Sequence, residues 1–374
     1  MRIRVFRADR QSVIEPMRGM AAIQFLLVGI GIVVLFSASW YFARTVFNDP
    51  FRIWRRQFIW MMLGVLAAIT ARRIPQAWFR RSIPTLVWIA IGLNLLTYVP
   101  GIGYASGGAR RWIELAGLTF QPSEFTRLVL ILYLARMLEK NEHRLSNFRD
   151  GVLPSMLIVI VLIVTVYFQN DFSTAAYLFL LSLILFYVAG IPRRIITISA
   201  GIGFLALIMM LFSRFYRLAR VKAWFNPVAD PTGTGYQLLK ARSALERGGM
   251  WGHGLGRGEV KLGGLPAAHS DFVIAVVGEE TGFIGIAAVL LLFTLFAIKG
   301  WLTAGSIRDP FSRWVLFGIV TAIYWQVLIN FSVVSGIIPT TGIPLPLFSA
   351  GGSAAFMTLI MFGIMFNLSE AERW

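Results

Sequence analysis

Apolar stretches and short polar breaks alternate along almost the whole chain. Ten apolar runs stand out, at 20–43, 56–71, 83–99, 123–138, 152–168, 173–191, 195–213, 272–298, 312–333 and 351–368. A bilayer core about 30 Å thick takes roughly 20 residues of apolar helix to cross, and these runs lie in or near that range. Backbone groups cannot stay unpaired in hydrocarbon, so each run is expected to be a helix. The pattern predicts an all-α polytopic membrane protein with about ten transmembrane helices, read as a single domain over 1–374. Two connections break the rhythm. Residues 214–271 form a long extracytoplasmic loop between the seventh and eighth helices, and 100–122 form a shorter outer one. Long connections are more often functional or disordered than idle. The longer one contains Trp224, Phe225, Tyr236, Leu238, Leu239 and Leu245, too apolar for a floppy linker, so partly helical segments packed at the membrane surface are expected.

Composition supports the class: 57% of residues are apolar and only 14% charged, with a mean hydropathy of +0.70. A net charge of +17 raises the question of nucleic acid, but the basic residues are placed otherwise. Arg2, Arg4, Arg7, Arg10 and Arg18 precede the first run, Arg72, Arg73, Arg80 and Arg81 fill the second connection, and Arg136, Lys140, Arg144 and Arg149 surround the fourth. Arg193 and Arg194 lie in the sixth, and Lys299, Arg308 and Arg313 follow the eighth run. If the spans alternate, these share one face, which places both termini in the cytoplasm. Arg44, Arg52, Arg55 and Arg56, around the first outer loop, depart from the rule. No nucleic-acid partner is expected. There is no cysteine, hence no disulfide framework and no thiolate metal site. The Arg-rich start resembles a signal peptide's, but the run after it is too long and more spans follow, so the first helix is expected to be retained.

Carboxylates in or beside hydrocarbon are costly and usually mark functional sites. Asp271 lies in Leu265-Pro266-Ala267-Ala268-His269-Ser270-Asp271-Phe272, at the mouth of the eighth helix, with Glu279 and Glu280 two turns deeper. Glu124 and Arg127 open the fourth helix three residues apart, so they share a face; a structural pair and a functional one fit equally. Asp171, in the short turn Gln169-Asn170-Asp171, serves either as a cap for the sixth helix or as a site residue. The outer segments concentrate cations at Arg110, Arg111, Arg214, Arg217, Arg220, Lys222, Lys240, Arg242, Arg247, Arg257 and Lys261. Guanidinium forks suit a pyrophosphate, and the same cations suit anionic lipid heads. The Gly-rich run 248–258 lacks the ending of a P-loop, so a tight loop that lines a groove fits better than a nucleotide site. His143, His253 and His269 have no zinc-ligand spacing.

Five ordered motifs carry a resemblance to the SEDS family of shape, elongation, division and sporulation proteins, which includes RodA, FtsW and SpoVE. Gly107-Gly108-Ala109-Arg110-Arg111-Trp112-Ile113 is followed by Phe120-Gln121-Pro122-Ser123-Glu124-Phe125. Gln169-x-Asp171-x-x-Thr174-Ala175 comes next, then Gly235-Tyr236-Gln237 with Gly248-Gly249-x-x-Gly252-x-Gly254. Leu265-Pro266-x-x-His269-x-Asp271-Phe272 leads to Glu279-Glu280-x-Gly282, and the last motif runs from Pro339 through Gly342, Leu345-Pro346 and Ser349 to Gly351-Gly352-Ser353. Arg127 stands where the family usually has Lys, Ala267 where it often has Glu, and Ser270 where it often has Thr. Asn170 and Ser173 replace the usual Pro and Gly, and Ala350 a common Tyr.

The resemblance implies an inner-membrane enzyme that polymerises peptidoglycan from lipid II, with its active site facing outward. It implies a class B penicillin-binding protein as partner, alongside other membrane proteins of the elongation complex and the surrounding lipids. Asp271 is the candidate catalytic residue, either as general base or as ligand to a divalent cation, magnesium or manganese. Arg110, Arg111, Trp112, Glu124, Arg127, Asp171, His269 and Ser349 are the candidate substrate-binding or cavity residues. A lipid II flippase is the first alternative, although no pair of broken helices related by a repeat is visible. A non-catalytic scaffold is the second. Gly342-Ile343-Pro344-Leu345-Pro346 and the chain length favour the elongation member over the division member.

Overall fold

The computed structural model describes all residues except 1–10, 107–108, 116, 146, 231–232, 267 and 371–374. Arg2, Arg4, Arg7 and Arg10, the Gly107-Gly108 start of the first motif and Ala267 therefore lie outside the described residues.

Each of the ten apolar runs folds as a helix. In chain order these are α1 (Gln11–Phe47), α2 (Arg52–Arg73), α3 (Gln76–Leu96), α4 (Pro122–Lys140), α5 (Leu153–Phe168), α6 (Phe172–Val188) and α7 (Arg193–Phe212). Two further helices, α8 (Phe215–Phe225) and α9 (Thr234–Gly248), lie within the long connection, as its apolar content leads one to expect. The series closes with α10 (Val273–Ser306), α11 (Pro310–Val334) and α12 (Gly352–Glu370). Six of them (α1, a segment reaching from Phe148 through α5, α7, α10, α11 and α12) are long and apolar enough to cross a bilayer alone. Helices α2 and α3 qualify only together, bent by 118°. Helix α4 is loaded with charge, and α6 has only 17 residues. The chain is an all-α polytopic membrane protein; the count of ten crossings remains the sequence's expectation.

Helix starts follow local chemistry. Pro122 and Pro310 sit at the first helical position, where a missing N–H costs nothing. Asp309 caps α11 by accepting from Ser312 N at 2.9 Å. Without a hydrophobic driving force between helices in lipid, close backbone approach depends on small residues. At the α2–α12 seam a Cβ on Gly363 would stand 2.3 Å from Ala68 O, so only glycine fits. The core gathers around α4, α11 and α12, whose inward residues are almost all buried, while α7 has no buried residue.

Two features were not foreseen. The connection at 100–122 folds as a three-stranded antiparallel sheet, β1 (Gly103–Ser106), β2 (Ala109–Leu115) and β3 (Leu118–Phe120), in the order β1-β2-β3. Helix α10 is broken at Gly282, whose φ of 67° and ψ of −169° suit glycine alone. The Gly-rich run docks on this break: His253 N donates to Glu279 O, Gly254 N to Glu280 O and Phe283 N to Gly249 O, at 3.1, 2.9 and 2.8 Å. The 24 residues after the break extend about 36 Å, a full crossing, and the short stretch before it carries Glu279 and Glu280.

Candidate active site

The sheet aims one cation inward. Ala105 pairs with Arg110 and Tyr104 with Trp112, so Arg111 is the extra residue of a β-bulge. A bulge bends the strand and re-aims its unpaired side chain. Arg111 turns toward the top of α6, where Nη2 donates to Asn170 O at 2.5 Å and Nη1 lies 3.6 Å from Asp171 Oδ1. Arg110 stays exposed on the strand.

Beneath the sheet is a polar cavity of about 60 Å³, lined by Arg111, Trp112, Gln121, Ser123, Glu124, Arg127, Asp171, Thr174, Tyr177, Gln326 and residues 342–344. Glu124 and Arg127 do pair, with Oε2 and Nη2 2.8 Å apart and both side chains buried. Asp171 does cap α6, accepting from Thr174 N at 3.3 Å, and it also accepts from Gln121 Nε2 at 3.1 Å. Capping and cavity lining are thus combined in one carboxylate. Arg127 Nη1 donates to Gln326 Oε1. Among the described residues, Glu124 Oε2 and Arg127 Nη2 meet only each other, and Arg127 Nε and Arg111 Nε are buried without a partner. Unsatisfied polar atoms around a small void mark a place built for a polar guest.

Arg111 is shared with a second, larger cavity of about 310 Å³. Its floor is apolar: Phe172 from α6, Phe204, Leu207, Ile208 and Leu211 from α7, Val221 from α8, and Ile338. Its head carries Arg111, Arg217 and Arg220 beside Tyr216 and residues 339–341. An apolar trough with cations at one end is complementary to an anionic lipid.

Asp271 lies outside both linings but within the field of the second. Its carboxyl is pushed up from the ordinary aspartate value, chiefly by burial; hydrogen bonds and the Arg220 charge pull the other way. The group keeps some exposed surface while protein crowds it, and the crowding sets the cost of its charge. Arg220 is itself pushed down, by burial first and then by Arg111, while Asp271 pulls it up. The backbone carrying Asp271 is held firmly: Ala350 N donates to His269 O at 2.7 Å, Ser349 Oγ to Ser270 O at 2.5 Å, and Asn330 Nδ2 to Asp271 O at 2.9 Å.

Of the residues singled out in the sequence, Arg111, Trp112, Glu124, Arg127 and Asp171 converge on the polar cavity. Asp271 is coupled to the larger cavity through the charge of Arg220. Ser349 is a buried backbone brace, and His269 packs its ring 4.6 Å from that of Phe42. Three cations of the long connection are committed elsewhere. Lys261 is buried against Glu280, Arg247 bridges Glu259 and Glu279, and Arg217 is packed over Tyr167 and Phe172 with Nη1 on Met210 O at 2.6 Å. Arg220 entered only among the cations of the long connection, Gln121 only within a motif, and Gln326 not at all. Gln326 carries no local sequence signal, since a lone Gln within an apolar run reads as a tolerated polar residue. No group of three His, Asp or Glu able to hold a metal occurs among the described residues.

The chain matches the FtsW/RodA/SpoVE cell cycle protein family over residues 18–374. It is 37% identical over 344 residues to the probable peptidoglycan glycosyltransferase FtsW of Geobacter sulfurreducens, covering 92% of each chain. One chain of a solved peptidoglycan synthase complex, described as coordinating polymerization and crosslinking, superposes with a TM-score of 0.77 at 26% identity, over 94% of this chain and 97% of that one. The rod shape determining protein RodA of Thermus thermophilus superposes with a TM-score of 0.70 at 25% identity, over 95% and 97%. A match that spans all the helices and both cavities makes this chain a member of the SEDS family, the FtsW/RodA/SpoVE cell cycle proteins.

Proposed function

We propose that this protein is a peptidoglycan glycosyltransferase of the bacterial inner membrane that joins lipid II units into glycan strands, with Asp271 as the reacting carboxylate. The enzyme class rests on relatives named for that activity. The observation that carries the residue-level reading is the pair of cavities meeting at Arg111, one polar and one an apolar trough with a cationic head. A polyprenyl diphosphate has the same division: a chain for the trough and a diphosphate for Arg111 and Arg220.

The acceptor's 4-hydroxyl oxygen attacks the donor's anomeric carbon. A C–O bond forms there, the bond to the diphosphate oxygen breaks, and Asp271 takes the hydroxyl proton. A placed general base is typically worth about 10²–10⁴-fold. Burial raises the affinity of Asp271 for that proton. Arg111 and Arg220 face the charge that grows on the departing diphosphate. Glu124 and Asp171 hold Arg127 and Arg111 in the cavity. A divalent cation at Asp271 would take one carboxylate from this chain and complete its shell with phosphate oxygens and water, a common arrangement for magnesium. Such an ion would supply further neutralisation of the diphosphate.

The site faces outward and both termini face the cytoplasm, on the distribution of Arg and Lys. A class B penicillin-binding protein supplies the crosslinking step, a reading supported by the likeness to the synthase complex. An elongation role follows from the 342–346 motif, whereas the FtsW names of the relatives favour division; rescue of cells depleted of one or the other protein separates the two. The biochemical test is lipid II polymerisation by the purified chain, with and without the partner and divalent metal. Glycan product that disappears in Asp271→Ala is the expected result. Full product from a folded Asp271→Ala protein overturns the assignment, and leaflet transfer of lipid II without polymer overturns the enzyme class.

A further inference from the structure

We propose that Gln326 and Asn330, one turn apart on α11, are positioning residues that hold Arg127 and Asp271 in one rigid frame. The proposal rests on the glycosyl-transfer reading above. Residues four apart on a helix share a face. Here that face meets the loop at 339–351. Asn330 Nδ2 donates to Asp271 O and to Ile343 O, each at 2.9 Å. Gln326 Nε2 donates to Pro344 O at 2.9 Å, and its Oε1 accepts from Arg127 Nη1.

The neighbours fix both amide orientations. Carbonyl oxygens only accept and a guanidinium only donates, so nitrogen must face the former and oxygen the latter. Both side chains are buried, Asn330 at 0% exposure and Gln326 at 2%. A buried amide in a membrane helix is costly unless its bonds are made. Gln326 uses both its nitrogen and its oxygen, and Asn330 uses its nitrogen twice while its Oδ1 is left without a partner among the described residues. A brace for the loop alone would need only the bonds to Ile343 and Pro344. Each amide instead splits its bonding, one partner on the loop and the other on an ionisable residue of the site.

The consequence is a clamp on the Asp271 backbone. Donors from α11 and from 349–350 hold the carbonyls of three successive residues, His269, Ser270 and Asp271. With its backbone fixed, the Asp271 carboxylate has only its own two side-chain torsions left to set. Placement matters at this scale, since misplacing a catalytic group by about 1 Å can cost on the order of 10²-fold in rate.

The test uses full-length protein in lipid nanodiscs, with turnover normalised to folded protein and measured from pH 5 to 9. Asn330→Ala is expected to lower kcat by about 10- to 100-fold with KM within about twofold, and to shift the acid limb of the pH profile that belongs to Asp271. Gln326→Ala is expected to lower kcat similarly without moving that limb. Asn330→Asp is the near-isosteric control. Its carboxyl has no hydrogen to donate when ionised and one when protonated, so its rate relative to Asn330→Ala rises as pH falls. Loss of folded protein alone would not produce that pH dependence. Alanine variants with unchanged kcat and an unmoved limb overturn the proposal. If the parent protein makes no glycan, the glycosyl-transfer reading fails instead. Hydrogen exchange at residues 268–273 still decides the clamp: faster exchange in Asn330→Ala supports it, and unchanged exchange overturns it.

Discussion

The most enclosed ion pair among the described residues makes a quantitative prediction. Lys261 and Glu280 have side-chain exposures of 0% and 3%. The ammonium donates to the carboxylate and to Ser37 Oγ at 2.8 Å, and Ser37 donates to the carboxylate at 2.7 Å. The triad ties the outer segment at 260–264 to α1 and α10. Lys261→Met leaves a buried carboxylate with one hydroxyl donor and no opposite charge. Glu280→Leu leaves a buried ammonium with Ser37 Oγ as its partner. Each single change is expected to cost roughly 3–5 kcal/mol, the range for a broken buried pair. Replacing both partners together is expected to be neutral or stabilising, because the desolvation of both charges disappears with them.

The comparison of single and double variants makes the test sharp. Contacting partners do not add, so the double variant should cost far less than the sum of the two single ones, with a coupling of roughly 3 kcal/mol or more. Reversible unfolding by SDS in mixed micelles, followed by circular dichroism at pH 7, reads the parent and the three variants. Single variants within about 1 kcal/mol of the parent, or costs that add in the double variant, would show that water reaches this triad and that the desolvation reasoning is wrong.

Asp271→Asn is expected to abolish polymerisation yet stabilise the fold above acidic pH. The carboxyl's folded pKa is raised, so the parent loses stability as pH climbs from the unfolded value toward the folded one, and the amide removes that loss; unfolding curves at pH 4 and 8 measure it. For the same reason the parent's activity should fall on acidification at a higher pH than an ordinary aspartate would give. Arg220→Gln removes an influence that lowers the carboxyl, so the limb should move higher still in a pH–rate profile. Gly282→Ala places an L side chain at φ 67° with its Cβ 2.4 Å from Met250 O, and should cost about 3 kcal/mol or more, with loss of folded protein on gel filtration. Gly92→Ala, inside α3 with open space around its Cβ, is the control and should be neutral or slightly stabilising.

Apolar run length placed the helices well, because in lipid the need to pair every backbone group leaves few other solutions. The break in α10 was invisible to it. Gly282 lies in an apolar run, and only the docking of the Gly-rich loop against it requires the positive φ. The bulge at Arg111 was equally hidden, since adjacent arginines read alike until the strand register separates them. Glu124 with Arg127 was legible because a spacing of three on a helix is local information. Gln326 was not: its value comes from Arg127, 199 residues away in sequence.

Charge accounting at the trough decides which cations remain for a diphosphate. Arg127 is closed off by Glu124 at 2.8 Å and by Gln326, and Arg217 is spent on a backbone carbonyl, Ser213 and three aromatic faces. Arg111 donates Nη2 to Asn170 O at 2.5 Å, but it stands 3.6 Å from Asp171 and its Nε is unpartnered among the described residues. Among the described residues Arg220 makes one long bond, 3.4 Å to Thr340 O, with the Tyr216 ring 6.0 Å away, and it feels the like charge of Arg111 and the opposite charge of Asp271. Two guanidiniums that raise each other's cost and are poorly satisfied by protein gain most from an added anion, because its arrival relieves their repulsion and fills their empty donors. A bound diphosphate also competes with Asp271 for Arg220. Drawing that cation away weakens the field that lowers the carboxyl, which leaves Asp271 a stronger base when the donor is in place. On the glycosyl-transfer reading proposed above, the readiness of Asp271 as a base thus depends on the presence of the lipid whose bond is to be broken.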